Sequence, residues 1–189
     1  AVKRCKGRVV SHSRLPDIAY HALLVELPVR CVREIIEHSP SGIAGLEPVM
    51  HIRPQSVATG IDLGDPSAVQ ARVDVGQLGD PILALLDGVL VAGHSLLNRH
   101  LIIDDPFGLE DGTPVAERVH GTAMASLIVH GDRNHPEPTL PRRVHVVPVL
   151  GGTDQFPPNR LIVDMIYTAI VAMRDGKEPT APGVLIVNL

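Results

Sequence analysis

The sequence predicts an α/β protein: a parallel sheet with helices on both faces, preceded by a small α+β module of βαβ type. Three observations lead there. Beyond Pro81, three continuous apolar runs (82–86, Val144–Leu150 and 184–189) have the length of strands buried on both faces. Between them lie two helical stretches, 121–131 and 159–176. In the second, Leu161, Ile162, Met165, Ile166, Ala169, Ile170 and Met173 recur at helical spacing over about four turns. Before all of these, a separate strand-then-helix pattern occupies the first 54 residues.

Residues 20–28, YHALLVELP, read as a strand. Pro28 suits the first turn of the helix that follows, in which Val29, Val32, Ile35 and Ile36 fall on one face, and Ser39-Pro40-Ser41-Gly42 ends it. The run 49–52 alternates and reads as the second strand, which completes the module over 1–54. Residues 55–80 shift to Gly, Asp, Ser, Gln and Ala, with turn pairs that mark a linker, and 68–75 has the length of one short element within it. The α/β domain is expected over 81–189. There strands alternate with helices, so the sheet is parallel and covered by helices, and Gly176 marks the stop of the last helix.

Composition narrows the function classes. Apolar residues make up 44% and charged residues 20%, near the average of globular proteins, and no run of 18 apolar residues marks a membrane span. Lys and Arg number 17 against 21 Asp and Glu, and Tyr20, Tyr167, Phe107 and Phe156 are the only aromatics. Neither a basic patch nor a base-stacking platform is available, so nucleic acid is not an expected partner. Cys5 and Cys31 form no CxxC and show no metal spacing, and Cys31 reads as a small buried thiol. No signal-peptide core is visible, which points to the cytoplasm.

Asp87 and His120 are the candidate catalytic residues. Asp87 follows the apolar run and precedes Gly88, so its carboxylate is expected at the carboxyl end of a strand, where open parallel sheets bind ligands. Taken alone, it also suits a strand cap bonded to turn amides. His120 opens a stretch of small residues that lets a helix start close to the sheet. A helix start disfavours the imidazolium, and a neighbouring carboxylate opposes that effect while fixing the tautomer. Taken alone, such a histidine also suits a cap or a polar packing role.

Leu85-Leu86-Asp87-Gly88, followed 33 positions after Asp87 by His120-Gly121-Thr122-Ala123-Met124-Ala125-Ser126, resembles the two motifs that flank the catalytic Asp and His of the subtilisin-like serine peptidases, or subtilases. The order Asp, His, then a distant Ser is the order of that family. The later runs 143–150, 160–174 and 183–189 are similar to the strand, long helix and strand that follow the histidine helix there. The resemblance covers 80–189 and implies a subtilisin-like, incomplete catalytic domain. Three positions depart: Gly88 stands where Ser or Thr precedes Gly, Ala123 where many members carry a second His, and Ser126 where Gly is commoner. The family's oxyanion Asn and nucleophilic Ser are expected beyond Leu189, and Asn188 matches a core strand residue rather than the oxyanion residue.

The resemblance implies a serine-type endopeptidase acting on a peptide or protein substrate. This chain holds only Asp87 and His120 of its triad, so the fragment itself is expected to be inactive. It also implies that 1–54 resembles the later part of an N-terminal prodomain. An alternative is a non-catalytic protein-binding module derived from the same fold. A third reading is a phosphoacceptor pocket of Asp87, Asp104 and Asp105, which leaves the His-Gly-Thr motif unused. The loop with Asp104, Asp105, Glu110, Asp111 and Glu117, together with His94 and His100, is rich enough in carboxylates to suggest calcium, which some subtilases bind elsewhere. Its spacing fits no calcium loop, and a solvated loop is expected. His130 and His135 lack further zinc ligands, and Gly151-Gly152-Thr153 lacks the Lys of a phosphate loop. No cofactor is therefore expected. The oligomeric state is left open by the sequence.

Overall fold

The computed structural model describes residues 1–37, 42–55, 76–132, 138–175, 184 and 186–188. The chain divides into two compact units, Ala1–Val57 with Pro157–Met165, and Ala58–Phe156 with Ile166–Leu189. Most of the stretch expected as a linker, 56–75, lies outside the described residues.

The first unit is built on a hairpin. Strand β1 (Arg8–Leu15) pairs antiparallel with β2 (Tyr20–Glu26), with Arg8 opposite Glu26 and Leu15 opposite Tyr20. A 3-10 turn at Pro16–Ile18 joins them and closes on Ala19, which takes a left-handed φ of 51°. Helix α1 (Val29–Ile36) starts directly after Pro28. Its ring fixes φ in a value a helix tolerates, and its missing N–H would have been unsatisfied there in any case. The module is α+β as expected, but its elements run strand, strand, helix. Residues 49–52 carry no strand assignment, and β1 supplies the second strand instead. The reason is local: β1 lies one tight turn from β2, so their ladder closes with little loop entropy. The apolar face expected on α1 is also not a buried one. Val29, Val32 and Ile36 are exposed, and Cys31 is the buried residue of the helix.

In the second unit the α/β architecture is plain. Strands β3 (Leu83–Gly88), β4 (Leu101–Ile103), β5 (Val144–Leu150) and β6 (Ile186–Asn188) form one parallel sheet in the order β4-β5-β3-β6. The chain winds from β3 to one side and then returns to the other, so strand order reverses at β3. Helix α2 (Val119–His130) packs on β3 and β5. Its Ala125 and Val129 meet Leu85, Val144 and Val146 in the core, with Leu90 and Leu97 from the connection after β3. The opposite face is buried as well, at Ala84, Leu86, Val147 and Val149. Helix α3 (Ile162–Asp175) buries Met165, Ala169 and Met173 of the face its periodicity predicts, whereas Ile170 of that face is exposed and Gly176 lies outside the described residues. The third apolar run behaves otherwise than expected. Ile186, Val187 and Asn188 are exposed, because β6 is the edge of the sheet and pairs through β3 on one side only among the described residues. No helix among the described residues is long and apolar enough to cross a membrane.

Candidate active site

Asp87 is the penultimate residue of β3 and is 4% exposed. It sits at the carboxyl end of the strand about which the order of the sheet reverses, the place where parallel sheets bind ligands. The ladder is irregular there. Asp87 stands opposite Pro148 but Gly88 opposite Leu150, so β5 carries an extra residue at this level. A bulge of this kind locally turns a strand and re-aims its side chain. Pro148 is tolerated in a central strand because it falls at the bulge, and β4 has already ended at the level of Val146.

His120 occupies the first turn of α2, and its Nδ1 lies 2.7 Å from Asp87 Oδ1. The same carboxylate oxygen accepts the Gly88 N–H at 2.5 Å. A carboxylate oxygen only accepts, so this contact is a hydrogen bond with the proton on Nδ1. The imidazole side chain is about one-quarter exposed. A buried carboxylate thus holds a partly exposed imidazole in one orientation.

The residues after His120 make this pairing geometrically possible. A β-carbon at Gly121 would fall on the Gly88 carbonyl oxygen, 2.7 Å from the Gly88 carbonyl carbon and 3.0 Å from the Val89 oxygen. Only glycine lets the helix start approach the strand end this closely. Thr122 fastens the two together: its hydroxyl donates to the Arg118 carbonyl at 2.5 Å and accepts the Val91 N–H at 3.0 Å. Arg118 is itself held by Glu110, at 2.8 Å from its carboxylate and 2.9 Å from its carbonyl, and by the Thr113 carbonyl at 3.0 Å. The roles of Gly121 and Thr122 depend on contacts with the strand end about 30 residues earlier, while Arg118 is held by its own neighbours in sequence.

The turn after β5 also borders the site. Thr153 and Asp154 have φ of 59° and 53°, a left-handed pair without glycine that is costly for a β-branched residue. Asp154 Oδ1 reaches the α-carbon side of Gly88, where an added β-carbon would lie 3.3 Å from it. Asp87 and Asp154 therefore approach the same strand end. No family profile, characterised protein or solved structure matches the chain. Any functional reading rests on the geometry of the site and on the motifs that form it.

The other candidates are not brought to this site. Asp104 and Asp105 follow β4, and β5 lies between β4 and β3, two strand spacings or roughly 10 Å from Asp87. The carboxylates of the 104–117 loop mostly serve the loop: Asp105 Oδ2 accepts the Glu110 N–H at 2.8 Å, and Glu110 pairs with Arg118. A shallow concavity there is lined by Glu110, Asp111, Thr113, Val115 and Arg118, and neither Asp87 nor His120 lines it. His130 is buried with Nε2 3.1 Å from the Leu96 carbonyl, while His135 lies outside the described residues.

The sequence sets His100 beside the acidic loop and gives His145 no role, and the structure buries both. His100 and His145 are fully buried, and among the described residues their ring nitrogens make no well-formed hydrogen bond, the Leu140 backbone approaching His100. Burial pushes the His145 imidazole below its ordinary value, with Asp104 opposing. Burial and then the adjacent His130, whose ring centroid is 6.0 Å away, push His100 down, with the Leu140 backbone opposing. Both are neutral packing residues at neutral pH.

Proposed function

We propose that this chain carries the orienting acid and the general base of a subtilisin-like serine endopeptidase. The observation that carries the reading is the 2.7 Å bond from His120 Nδ1 to a buried Asp87 at the carboxyl end of a parallel strand, formed by residues that resemble the family's two motifs. In this reading a serine that this chain does not supply attacks the scissile carbonyl of a peptide. Nε2 of His120 takes the hydroxyl proton and returns it to the leaving amine. Asp87 keeps the ring in the Nδ1–H tautomer and stabilises the imidazolium that forms. Without the nucleophile and the oxyanion donor no acyl-enzyme forms, so this chain alone is inert.

A fluorophosphonate probe applied to the full-length protein tests the reading, with His120→Ala and Asp87→Asn beside it. Labelling of the parent is expected to fall by about 10³-fold or more in each variant, and this 189-residue chain is expected not to label. A folded parent that does not label, or labels equally without His120, overturns the peptidase and leaves the non-catalytic binding module as the better account.

A further inference from the structure

The first unit holds a cluster that catalysis does not use. The chain opens in a turn whose bonds run from Gly7 N–H to the Val2 carbonyl and from Lys6 N–H to the Lys3 carbonyl, both at 3.0 Å, with Lys6 at a left-handed φ of 58°. This nested pair is the pattern that closes a helical turn. It fixes the backbone of Cys5, whose N–H also reaches the Ala1 carbonyl at 3.1 Å. Gly7 then packs directly on the end of β2. A β-carbon there would lie 2.7 Å from both the Glu26 oxygen and Leu27 Cδ2. The turn is thereby pressed toward the start of α1, which carries Cys31 and, one helical turn on, Glu34.

Cys5 Sγ, Cys31 Sγ and a Glu34 carboxylate oxygen lie within 4.8 Å of one another, the only such group of three among the described residues. Both cysteines are free, Cys31 buried and Cys5 partly exposed, and the Glu34 side chain is open to solvent. The Cys31 thiol donates to the Cys5 carbonyl, with its sulfur 3.7 Å from the oxygen, which ties the turn to the helix.

We propose that Cys5, Cys31 and Glu34 form a binding site for a soft divalent cation of the zinc class. Two sulfurs on zinc stand about 2.3 Å from the metal, hence about 3.8 Å apart in a tetrahedron. The observed limit of 4.8 Å exceeds that separation by about 1 Å. Two thiolates select zinc-like ions over magnesium or calcium. A carboxylate gives the third ligand, and the solvent-facing side leaves the fourth position to water. Metal binding displaces both thiol protons. A disulfide would use the two sulfurs and leave Glu34 without a role.

The test is titration of the reduced, metal-free 189-residue chain with Co(II), followed by Zn(II) displacement. One equivalent of Co(II) is expected to give tetrahedral visible bands with a thiolate-to-cobalt charge-transfer band, and Zn(II) should abolish both. Cys5→Ser, in a partly exposed turn, should remove the charge-transfer intensity while leaving the far-ultraviolet circular dichroism unchanged. Glu34→Gln, fully compatible with an exposed site, should weaken Zn(II) binding by at least about tenfold. A Co(II) spectrum of octahedral type, a spectrum unchanged in Cys5→Ser, or a pair that only cycles between dithiol and disulfide overturns the proposal.

Discussion

Replacing Gly121 by Ala tests how the histidine is delivered to its acid. The new β-carbon would fall on the Gly88 carbonyl oxygen and stand 2.7 Å from the Gly88 carbonyl carbon. Carbon pairs rest at about 3.5–4.0 Å, so the start of α2 must withdraw by about 1 Å. The His120–Asp87 bond of 2.7 Å would then pass the length at which it counts as a hydrogen bond. Overpacking costs about 1–3 kcal/mol, and loss of one of the two partners of a buried carboxylate costs about 1–3 kcal/mol. The terms share one displacement and do not simply add. Alanine in a helix is favoured over glycine by about 0.5–1 kcal/mol, which works the other way. A net loss of about 1–3 kcal/mol is expected, or about 2–12 °C in melting temperature for a chain of this size. Thermal unfolding followed by circular dichroism measures it, with Gly93→Ala as the control. Gly93 has open space around it and should change by less than about 0.5 kcal/mol. A Gly121→Ala chain as stable as the wild type, or more so, would refute the close-approach argument.

Three further outcomes follow from the same structure. Thr122→Val keeps the shape but leaves the Val91 N–H without its acceptor, and a loss of about 1–3 kcal/mol is expected in urea unfolding. Ser13→Ala removes a 2.6 Å bond to the Asp164 carboxylate within the first unit, and should cost about 1–2 kcal/mol. The neutral His100 and His145 give the fold a pH dependence. Their folded pKa values lie below the ordinary imidazole value of about 6.5, so the unfolded chain takes up protons first as pH falls. Stability from this source is complete above about pH 6.5 and declines as pH falls toward the lowered folded values. The urea midpoint should fall between about pH 7 and 5, and His145→Leu should flatten that slope.

The core of the second unit was legible because its strands are buried on both faces and so read as unbroken apolar runs. β5 begins and ends where the run 144–150 does, and α3 follows its periodicity. The edge defeated the same rule, since apolar content alone does not say whether a neighbour covers Ile186 and Val187. In the first unit β1, RVVSHSRL, alternates too weakly to be seen, because its place is set by the ladder to β2 rather than by burial. The exposed face of α1 shows that helical spacing marks a face without naming what covers it. At the site, Asp87 and His120 were readable from two motifs at a set distance. The close approach that makes Gly121 necessary, the Thr122 bridge and the bulge at Asp87 are contacts between segments far apart in sequence and leave no periodic signal. The same holds for Cys5 and Cys31, which meet only because the Gly7 turn closes on the end of β2.

The pairing of Asp87 with His120 is most directly tested by long-range proton–nitrogen NMR of the histidine rings, recorded above about pH 8, where imidazoles are neutral. The account predicts a His120 ring held in the Nδ1–H tautomer, with a downfield Nδ1 proton, and a shift toward the ordinary tautomer mixture in Asp87→Asn. A His120 ring protonated on Nε2, or one whose tautomer is unchanged by Asp87→Asn, would contradict it.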